Sequence, residues 1–363
     1  TIMALGTITA LSGTFTSRFV LTEFRTIIIY NFAFSLVLTA PVYMIMTRYL
    51  ADNIYRQDVS DTPGTLIGGL AILYVIELPL AASFYLGYAT LGFELAVAAI
   101  VNFLLISGIW LISIFLTALK NYRTVTQAFG YGMLVTVFSA AFLTEDFGAI
   151  GIITSFSLGL SIILGILIAR IFAEYPYPFK QPFAFLKYFK NYWEIAMSGL
   201  VYNVAIWVDK WIMWFSPEGD RPTSRLISYS DYDSAMFLAY LTVVPSMAMF
   251  VLTVETNFYE HYLKFYRGIQ QQETFRQLQE NWRRMVGSIL SSARGFVVIQ
   301  GSICVITILM SAKIFDVLRI NYLQLGIFRF GVLGAMFQVF SLFILILLSY
   351  FDHRKATLLI QLV

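Results

Sequence analysis

The chain has 363 residues, of which 59% are hydrophobic and only 12% are charged, and its formal net charge is +3. An ordinary soluble domain carries about 25% charged residues. The composition therefore argues against a soluble protein and indicates a helical membrane protein, because lipid accepts apolar side chains on the outer surface. The small net charge gives no support for nucleic-acid binding, so we expect no nucleic-acid partner.

Apolar stretches long enough to cross a bilayer recur through the first half of the chain. A spanning helix needs about 20 mostly apolar residues, because the hydrocarbon core is about 30 Å thick. Residues 1–17 read as the end of an earlier span, so we expect the sequence to be part of a longer protein. We predict further spans at 26–47, 62–93, 95–119, 124–144 and 147–169.

A segment of different composition follows at 173–192, where three prolines precede a run of aromatic and lysine residues. Proline interrupts helices, and the aromatic and basic remainder suits a segment that lies on the membrane surface. We therefore predict an N-terminal transmembrane bundle over 1–172, a cytoplasmic interfacial linker over 173–192 and a C-terminal transmembrane bundle over 193–363.

The second half of the chain contains predicted spans at 195–215, 234–254, 295–312 and 330–351, and the beginning of another at 356–363. Lysine and arginine are concentrated in alternate loops. Because cytoplasmic loops carry the excess of positive charge, this asymmetry places residue 1 on the cytoplasmic side of a bacterial inner membrane.

A cytoplasmic amphipathic helix is predicted near 270–292. Its apolar residues recur at spacings of three and four, which is the period of a helix face. We expect this helix either to lie on anionic lipid or to dock a cytoplasmic partner. The apolar stripe is Phe275, Leu278, Trp282, Met285 and Ile289, and the candidate contact residues are Arg276, Trp282, Arg283 and Arg284.

Glu77 is the one charged residue within the predicted span 62–93, and Pro79 follows it closely. An ionised side chain at the bilayer centre costs at least about 2.5–3.5 kcal/mol, so it should face the bundle interior, a partner or water. Pro79 removes a backbone donor and favours a kink, which suits a polar cavity. Glu77 therefore either lines a substrate path or is a protonated carboxyl group that bonds to a neighbouring helix.

The segment 199–214 combines amide, indole, carboxylate and ammonium groups within one predicted span. Helical spacing places these residues on two adjacent stripes. Such stripes suit a sugar, whose C–H face stacks on aromatic rings while its hydroxyls bind polar groups. The alternatives are a lysine that snorkels outward and a tryptophan belt at the membrane interface, which is the stronger interpretation for Trp214. The candidate path residues are Tyr202, Asn203, Trp207, Asp209, Lys210 and Trp211.

Other charged residues are predicted near the outer ends of spans. Glu94, Asp231 and Asp233 are carboxylates in such positions, and Arg329 enters its span from the same side. An ion pair between Arg329 and one of these carboxylates would help to form a polar outward vestibule. For Asp231 and Asp233 a solvated loop face is a serious alternative.

The sequence lacks two motifs that would indicate nucleotide-dependent or zinc-dependent catalysis. It contains neither a phosphate-binding G-x-x-x-x-G-K-[ST] motif nor an H-E-x-x-H zinc motif. The single Cys304 excludes an internal disulfide, and His261 and His353 are far apart in sequence. We therefore expect no catalytic activity, no cofactor and no metal site.

Three stretches carry a resemblance to a known family, namely 34–52, 199–214 and 230–262. Through these stretches, and over essentially its whole length, the chain resembles the PelG family of Pel exopolysaccharide export. That family is a branch of the multidrug, oligosaccharidyl-lipid and polysaccharide exporter superfamily. The resemblance implies an all-α membrane protein of about twelve spans of about 20 residues each, in two six-helix bundles around a central cavity.

The same resemblance implies a function and partners. It implies a channel that exports an N-acetylgalactosamine-rich polysaccharide, working beside a cytoplasmic glycosyltransferase and accessory Pel membrane proteins. It carries over no catalytic residues. Three alternatives are a flippase for lipid-linked saccharides, an ion-coupled small-molecule antiporter and a scaffold that transports nothing.

Overall fold

We describe a computed structural model of the protein, over residues 18–119, 122–220 and 224–362. The first part of the chain is a series of long helices joined by short connections. The helix Thr62–Ala82 is continued by a π-helical segment, Ser83–Tyr88. The helices are α1 (Arg18–Tyr55), α2 (Thr62–Ala82), α3 (Phe93–Leu119), α4 (Tyr122–Glu174), α5 (Leu186–Asn191) and α6 (Trp193–Trp214).

The second part begins with two short helices, which lead into a second π-helical segment, Val251–Phe258. The long helix Phe275–Leu318 begins with a capping box, in which the Thr274 amide donates to the Gln277 side chain at 3.0 Å. The helices are α7 (Ser230–Leu241), α8 (Val244–Phe250), α9 (Tyr259–Gln270), α10 (Phe275–Leu318), α11 (Leu325–Tyr350) and α12 (Arg354–Leu362).

The predicted class, an all-α polytopic membrane protein, is confirmed. Within the described residues, seven helices are long and apolar enough to cross a membrane, and α6 is not one of them. The expected count of twelve spans is not confirmed. The predicted first span, 1–17, lies outside the described residues.

Element boundaries differ from the prediction in the second half. The predicted cytoplasmic helix near 270–292 and the predicted span 295–312 form one continuous helix of 44 residues, α10. The predicted span 234–254 is divided between α7, α8 and the π-helical segment that follows. Hydropathy detects where lipid-compatible residues lie, but it does not detect whether the backbone continues across a change in polarity.

Gly148 separates two helical parts of α4, close to the boundary predicted between 144 and 147. Its backbone angles, φ 54° and ψ −125°, lie where L-residues with a side chain are disfavoured. Among the described residues, a Cβ at this position would meet only Val20, at 3.9 Å, so backbone strain is the main cost.

We expect Gly148→Ala to lower the stability by about 1–3 kcal/mol, the usual cost of a strained backbone conformation. Gly165→Ala is the matched control, because Gly165 lies within the same element and its Cβ would enter open space. There the change should be neutral or stabilising by up to about 1 kcal/mol. Thermal unfolding of both variants in detergent measures the difference, and equal midpoints would contradict the assignment of strain to Gly148.

Contacts group the described residues into two compact units. The first runs up to Ser228 and includes the last residues from Leu358, and the second is Tyr229–Thr357. The contact boundary therefore follows α6, whereas the sequence prediction divides the bundles at 173–192. The cytoplasmic interfacial linker over 173–192 stays a prediction.

Helix α1 forms the centre of the first unit and packs against α3 and α6. Its buried polar residues Asn31, Ser35 and Thr39 recur every four residues, so they lie on one face. Small and polar residues on one face let membrane helices approach closely and bond to each other. This spacing explains why α1, whose middle part is apolar enough to face lipid, lies instead at the centre of the unit.

A buried hydrogen-bond network holds four elements of this unit together. Tyr85 in the π-helical segment donates to Asn31 Oδ1 at 2.6 Å, and Asn31 Nδ2 donates to Asn102 Oδ1 at 2.9 Å. Asn102 Nδ2 then donates to Ser157 Oγ in α4 at 3.0 Å. Each of these groups has a partner, so burial leaves them satisfied.

We expect Asn31→Leu to lower stability by about 1–3 kcal/mol, because it leaves the Tyr85 hydroxyl without its acceptor and Asn102 Oδ1 without its donor. Adding Tyr85→Phe to this variant removes one of the two orphaned groups. The double variant should therefore be less destabilised than the sum of the two single changes. Strict additivity of the unfolding free energies would show that the network is not coupled.

The segment after α4 packs beneath α1 and α2. A Cβ on Gly64 or Gly68 would overlap backbone atoms of Lys180 or Pro182, so α2 and this segment approach closely because of these glycines. Tyr188 in α5 donates to Asp52 Oδ2 at 3.1 Å. The second unit has its own cores, one of which contains Phe250, Phe258, Met285, Phe296 and Phe343.

Candidate functional site

Lys210 lies in the last two turns of α6 and is buried, with 8% of its surface exposed. Its ammonium group donates to the Ile206 carbonyl at 3.2 Å and lies 3.2 Å from Asp209 Oδ1. The ammonium nitrogen also lies 5.3 Å from the centroid of the Trp207 ring. A carboxylate, a carbonyl and an aromatic face therefore surround one desolvated positive charge.

Asp209 is the more accessible member of this cluster, since 32% of its side chain is exposed. The three groups together offer a hydrogen-bond donor, an acceptor and a ring face within two helical turns. Tyr202 and Asn203 lie one turn further toward the N-terminus and are half-buried. Asn203 Nδ2 donates to the Gly199 carbonyl of its own helix at 2.8 Å.

The candidate residue Trp211 and the neighbouring Trp214 take part in packing between helices. Trp211 stacks on Phe34 of α1 with ring centroids 5.1 Å apart, and Trp214 stacks on Tyr30 at 4.7 Å. These two stacks fix α6 along α1. Trp214 is buried in this contact, so within the first unit its ring packs against another helix.

Glu77 is completely buried within the first unit. Thr39 of α1 donates to Glu77 Oε1 at 3.2 Å, and Oε2 has no hydrogen-bond partner among the described residues. Of the two interpretations of Glu77, the one in which it bonds to a neighbouring helix matches this placement. The contact joins α1 and α2 two residues before Pro79.

The residues of the predicted vestibule are divided between the units. Glu94 is exposed in the first turn of α3, in the first unit, and the others belong to the second unit. Asp231 accepts a hydrogen bond from Gln324 at 2.8 Å, and Asp233 is half-buried in the first turn of α7.

The expected ion pair of Arg329 with a carboxylate is not found in the described part of the chain. Arg329 Nε donates instead to Ser311 Oγ of α10 at 2.8 Å. Ser311 is a buried residue of α10, which packs beside α11. Its hydroxyl lies next to the guanidinium, whereas the predicted carboxylates lie near the helix ends.

The predicted amphipathic face is present in the first turns of α10. Met285 is buried and Ile289 packs against the same core, whereas Phe275 is 81% exposed. Trp282 packs on Phe265 of α9 with centroids 5.5 Å apart, yet it is still half exposed. Arg276 and Arg283 are exposed, and Arg284 pairs with Glu280 at 2.5 Å.

Sequence reasoning missed a cavity of about 300 Å³ in the first unit. Helix α1 contributes Tyr30, Phe34 and Leu38 to its lining, and the end of α2 with the π-helical segment contributes Leu80, Phe84 and Tyr85. Two of the lining residues, Tyr30 and Phe34, are also the residues on which Trp214 and Trp211 stack. The signal in the sequence was the spacing of Asn31, Ser35 and Thr39, which places three polar residues on one face of α1 and indicates that this face is buried.

Comparison with protein families decides the relationship of the chain. The PelG family, described as "Putative exopolysaccharide Exporter (EPS-E)", matches residues 1–363. The chain belongs to the PelG family. No curated protein matches the chain.

A solved structure gives the fold neighbourhood of this PelG-family chain. It is described as the inward-facing conformation of a multidrug resistance MATE family transporter of the MOP superfamily. The TM-score is 0.56 at 12% sequence identity, over 99% of this chain and 80% of the transporter. The fold therefore resembles that of this MATE family transporter, and with the family match the resemblance stated from the sequence is confirmed.

Proposed function

We propose that this protein exports an exopolysaccharide across the bacterial inner membrane, with residue 1 on the cytoplasmic side. The observation that carries the proposal is the match of the exopolysaccharide exporter family to the entire chain. The fold similarity to a membrane transporter supports the same class of activity. The positive-inside asymmetry of the loops supports the orientation.

Within this proposal, the end of α6 is the part of the first unit that contacts the polymer. Lys210 supplies a donor for sugar hydroxyl or acetamido oxygens, and Asp209 supplies an acceptor for sugar hydroxyls. Trp207 offers a ring face to the C–H side of a sugar. Such a set suits a neutral or N-acetylated polymer, so we propose an N-acetylgalactosamine-rich substrate.

The proposed source of the polymer is a cytoplasmic glycosyltransferase, which works with accessory Pel membrane proteins. The exposed residues Arg276, Trp282 and Arg283 of α10 form a basic and aromatic surface, which is the composition expected at an anionic lipid interface. We propose that this surface lies on the cytoplasmic leaflet and positions α9 and α10 beside the synthase.

Inside-out membrane vesicles that contain the synthase and this protein test the export proposal. With nucleotide sugar supplied outside, newly made polymer should enter the lumen and resist an added glycoside hydrolase. Vesicles that contain the synthase alone should make polymer that the hydrolase degrades. Full degradation in both preparations would overturn the proposal, as would equal protection in both.

A further inference from the structure

The cavity behind the α6 stacks has a lining that does not suit a sugar. Its two phenol groups are already used, since the Tyr30 hydroxyl donates to the Ile227 carbonyl at 2.8 Å and that of Tyr85 donates to Asn31 at 2.6 Å. The other lining side chains are hydrocarbon. A saccharide placed here would lose its bonds to water and gain none, which is costly for each hydroxyl.

The entrance of this cavity lies on the apolar surface of a predicted span. Leu80 lines the cavity and is 48% exposed, so the cavity opens where Leu80 meets the surroundings. On the same span Val75 is 73% exposed, and Ile76 and Leu78 are about half exposed. Exposed apolar residues on a membrane-spanning helix contact lipid, so lipid chains are the molecules present at the entrance.

We propose that this cavity is a binding site for one acyl chain of a membrane phospholipid. An acyl chain needs no hydrogen-bond partner, and each methylene that enters an apolar site gains dispersion contacts with the aromatic rings around it. The proposal does not depend on the polymer, because it uses only the lining, the entrance and the bilayer.

The bound chain has a structural consequence for α6. Tyr30 and Phe34 line the cavity, and their rings also stack on Trp214 and Trp211. A chain in the cavity contacts these two side chains and restricts their motion, so it stabilises the position of the helix that carries Asp209 and Lys210. Lipid occupancy and the order of α6 are therefore linked.

Photocrosslinking with a phosphatidylglycerol that carries a diazirine in its acyl chain tests the site in the intact protein. Phe103 lines the cavity and is only 4% exposed, so bulk lipid does not reach it except through the cavity. Leu86 is 50% exposed and serves as the internal reference for labelling by bulk lipid. We expect label on both residues in the unmodified protein.

Filling the cavity should remove only the inner label. Ala81 lines the cavity, and Ala81→Phe should lower the Phe103 label about tenfold relative to the Leu86 label, which corresponds to about 1.4 kcal/mol. Ala71→Phe is the matched control, because Ala71 is exposed on the same helix and does not line the cavity. Its labelling pattern should equal that of the unmodified protein.

The unmodified protein alone decides the case if Ala81→Phe does not fold. Absence of label on Phe103, with Leu86 labelled, overturns the proposal. Label on Phe103 from a diazirine-bearing polyprenyl phosphate but not from the phospholipid also overturns it, in favour of a carrier-lipid site. Because no polymer is present, failure here leaves the export proposal unaffected, and failure of export in vesicles leaves this site unaffected.

Discussion

Replacing Lys210 or Asp209 with alanine is expected to abolish polymer export while the protein still reaches the membrane. Lys210→Ala removes the charged donor of the cluster formed with Asp209 and Trp207. Asp209→Ala leaves a buried ammonium that has lost its carboxylate at 3.2 Å. Removing one partner of a buried ion pair is destabilising by several kcal/mol, because the remaining charge is left uncompensated.

Two measurements separate a transport defect from a folding defect. Extracellular polymer and the amount of protein in the membrane fraction are quantified for each variant, and Lys187→Ala serves as the control. Lys187 is exposed in α5 and lies outside the α6 cluster, so this change should leave export unchanged. Normal polymer output from both Asp209→Ala and Lys210→Ala would remove the end of α6 from the transport path.

Replacing Trp214 with alanine is expected to cause a large loss of stability in the first unit. The Trp214 side chain is 2% exposed, and its ring stacks on Tyr30 with an interplanar angle of 12°. Large-to-small changes of buried Trp cost about 3–5 kcal/mol, because contacts are lost and a cavity is left behind. Unfolding in a denaturing detergent series measures this loss.

The exposed Trp193 of the same helix provides the matched control. It is 53% exposed, so Trp193→Ala should change stability by less than about 0.5 kcal/mol. Trp214→Phe keeps an aromatic ring against Tyr30, and it should restore most of the lost stability and all of the export. Restored stability without restored export would mean that the indole itself contacts substrate, contrary to the packing role.

The two replacements address different properties of one helix. The Trp214 and Trp211 stacks hold α6 on α1, whereas Asp209 and Lys210 supply the chemistry that would meet a polar polymer. A variant that unfolds the protein and a variant that blocks transport therefore lie within six residues of each other. Membrane abundance and polymer output together distinguish them.

The sequence by itself determined the class of this protein. A chain with few charges and repeated apolar stretches has no stable soluble form, and each backbone group within a bilayer must bond internally, so helices are required. The stretches 199–214 and 230–262 were sufficient for the family resemblance. The boundary between the predicted spans 124–144 and 147–169 lies close to the break at Gly148, because Glu145 and Asp146 interrupt the apolar sequence there.

Only the tertiary structure decided which polar residues are buried together. Glu77 meets Thr39, and Arg329 meets Ser311, because the neighbouring helix supplies a hydroxyl at the same depth. Sequence spacing defines the face of a helix on which a residue lies, but not which helix covers that face. The cavity beside Tyr30 and Phe34 is lined by residues of α1, of α2 with its π-helical continuation, and of α3, so it depends on how these helices pack and no local pattern contains it.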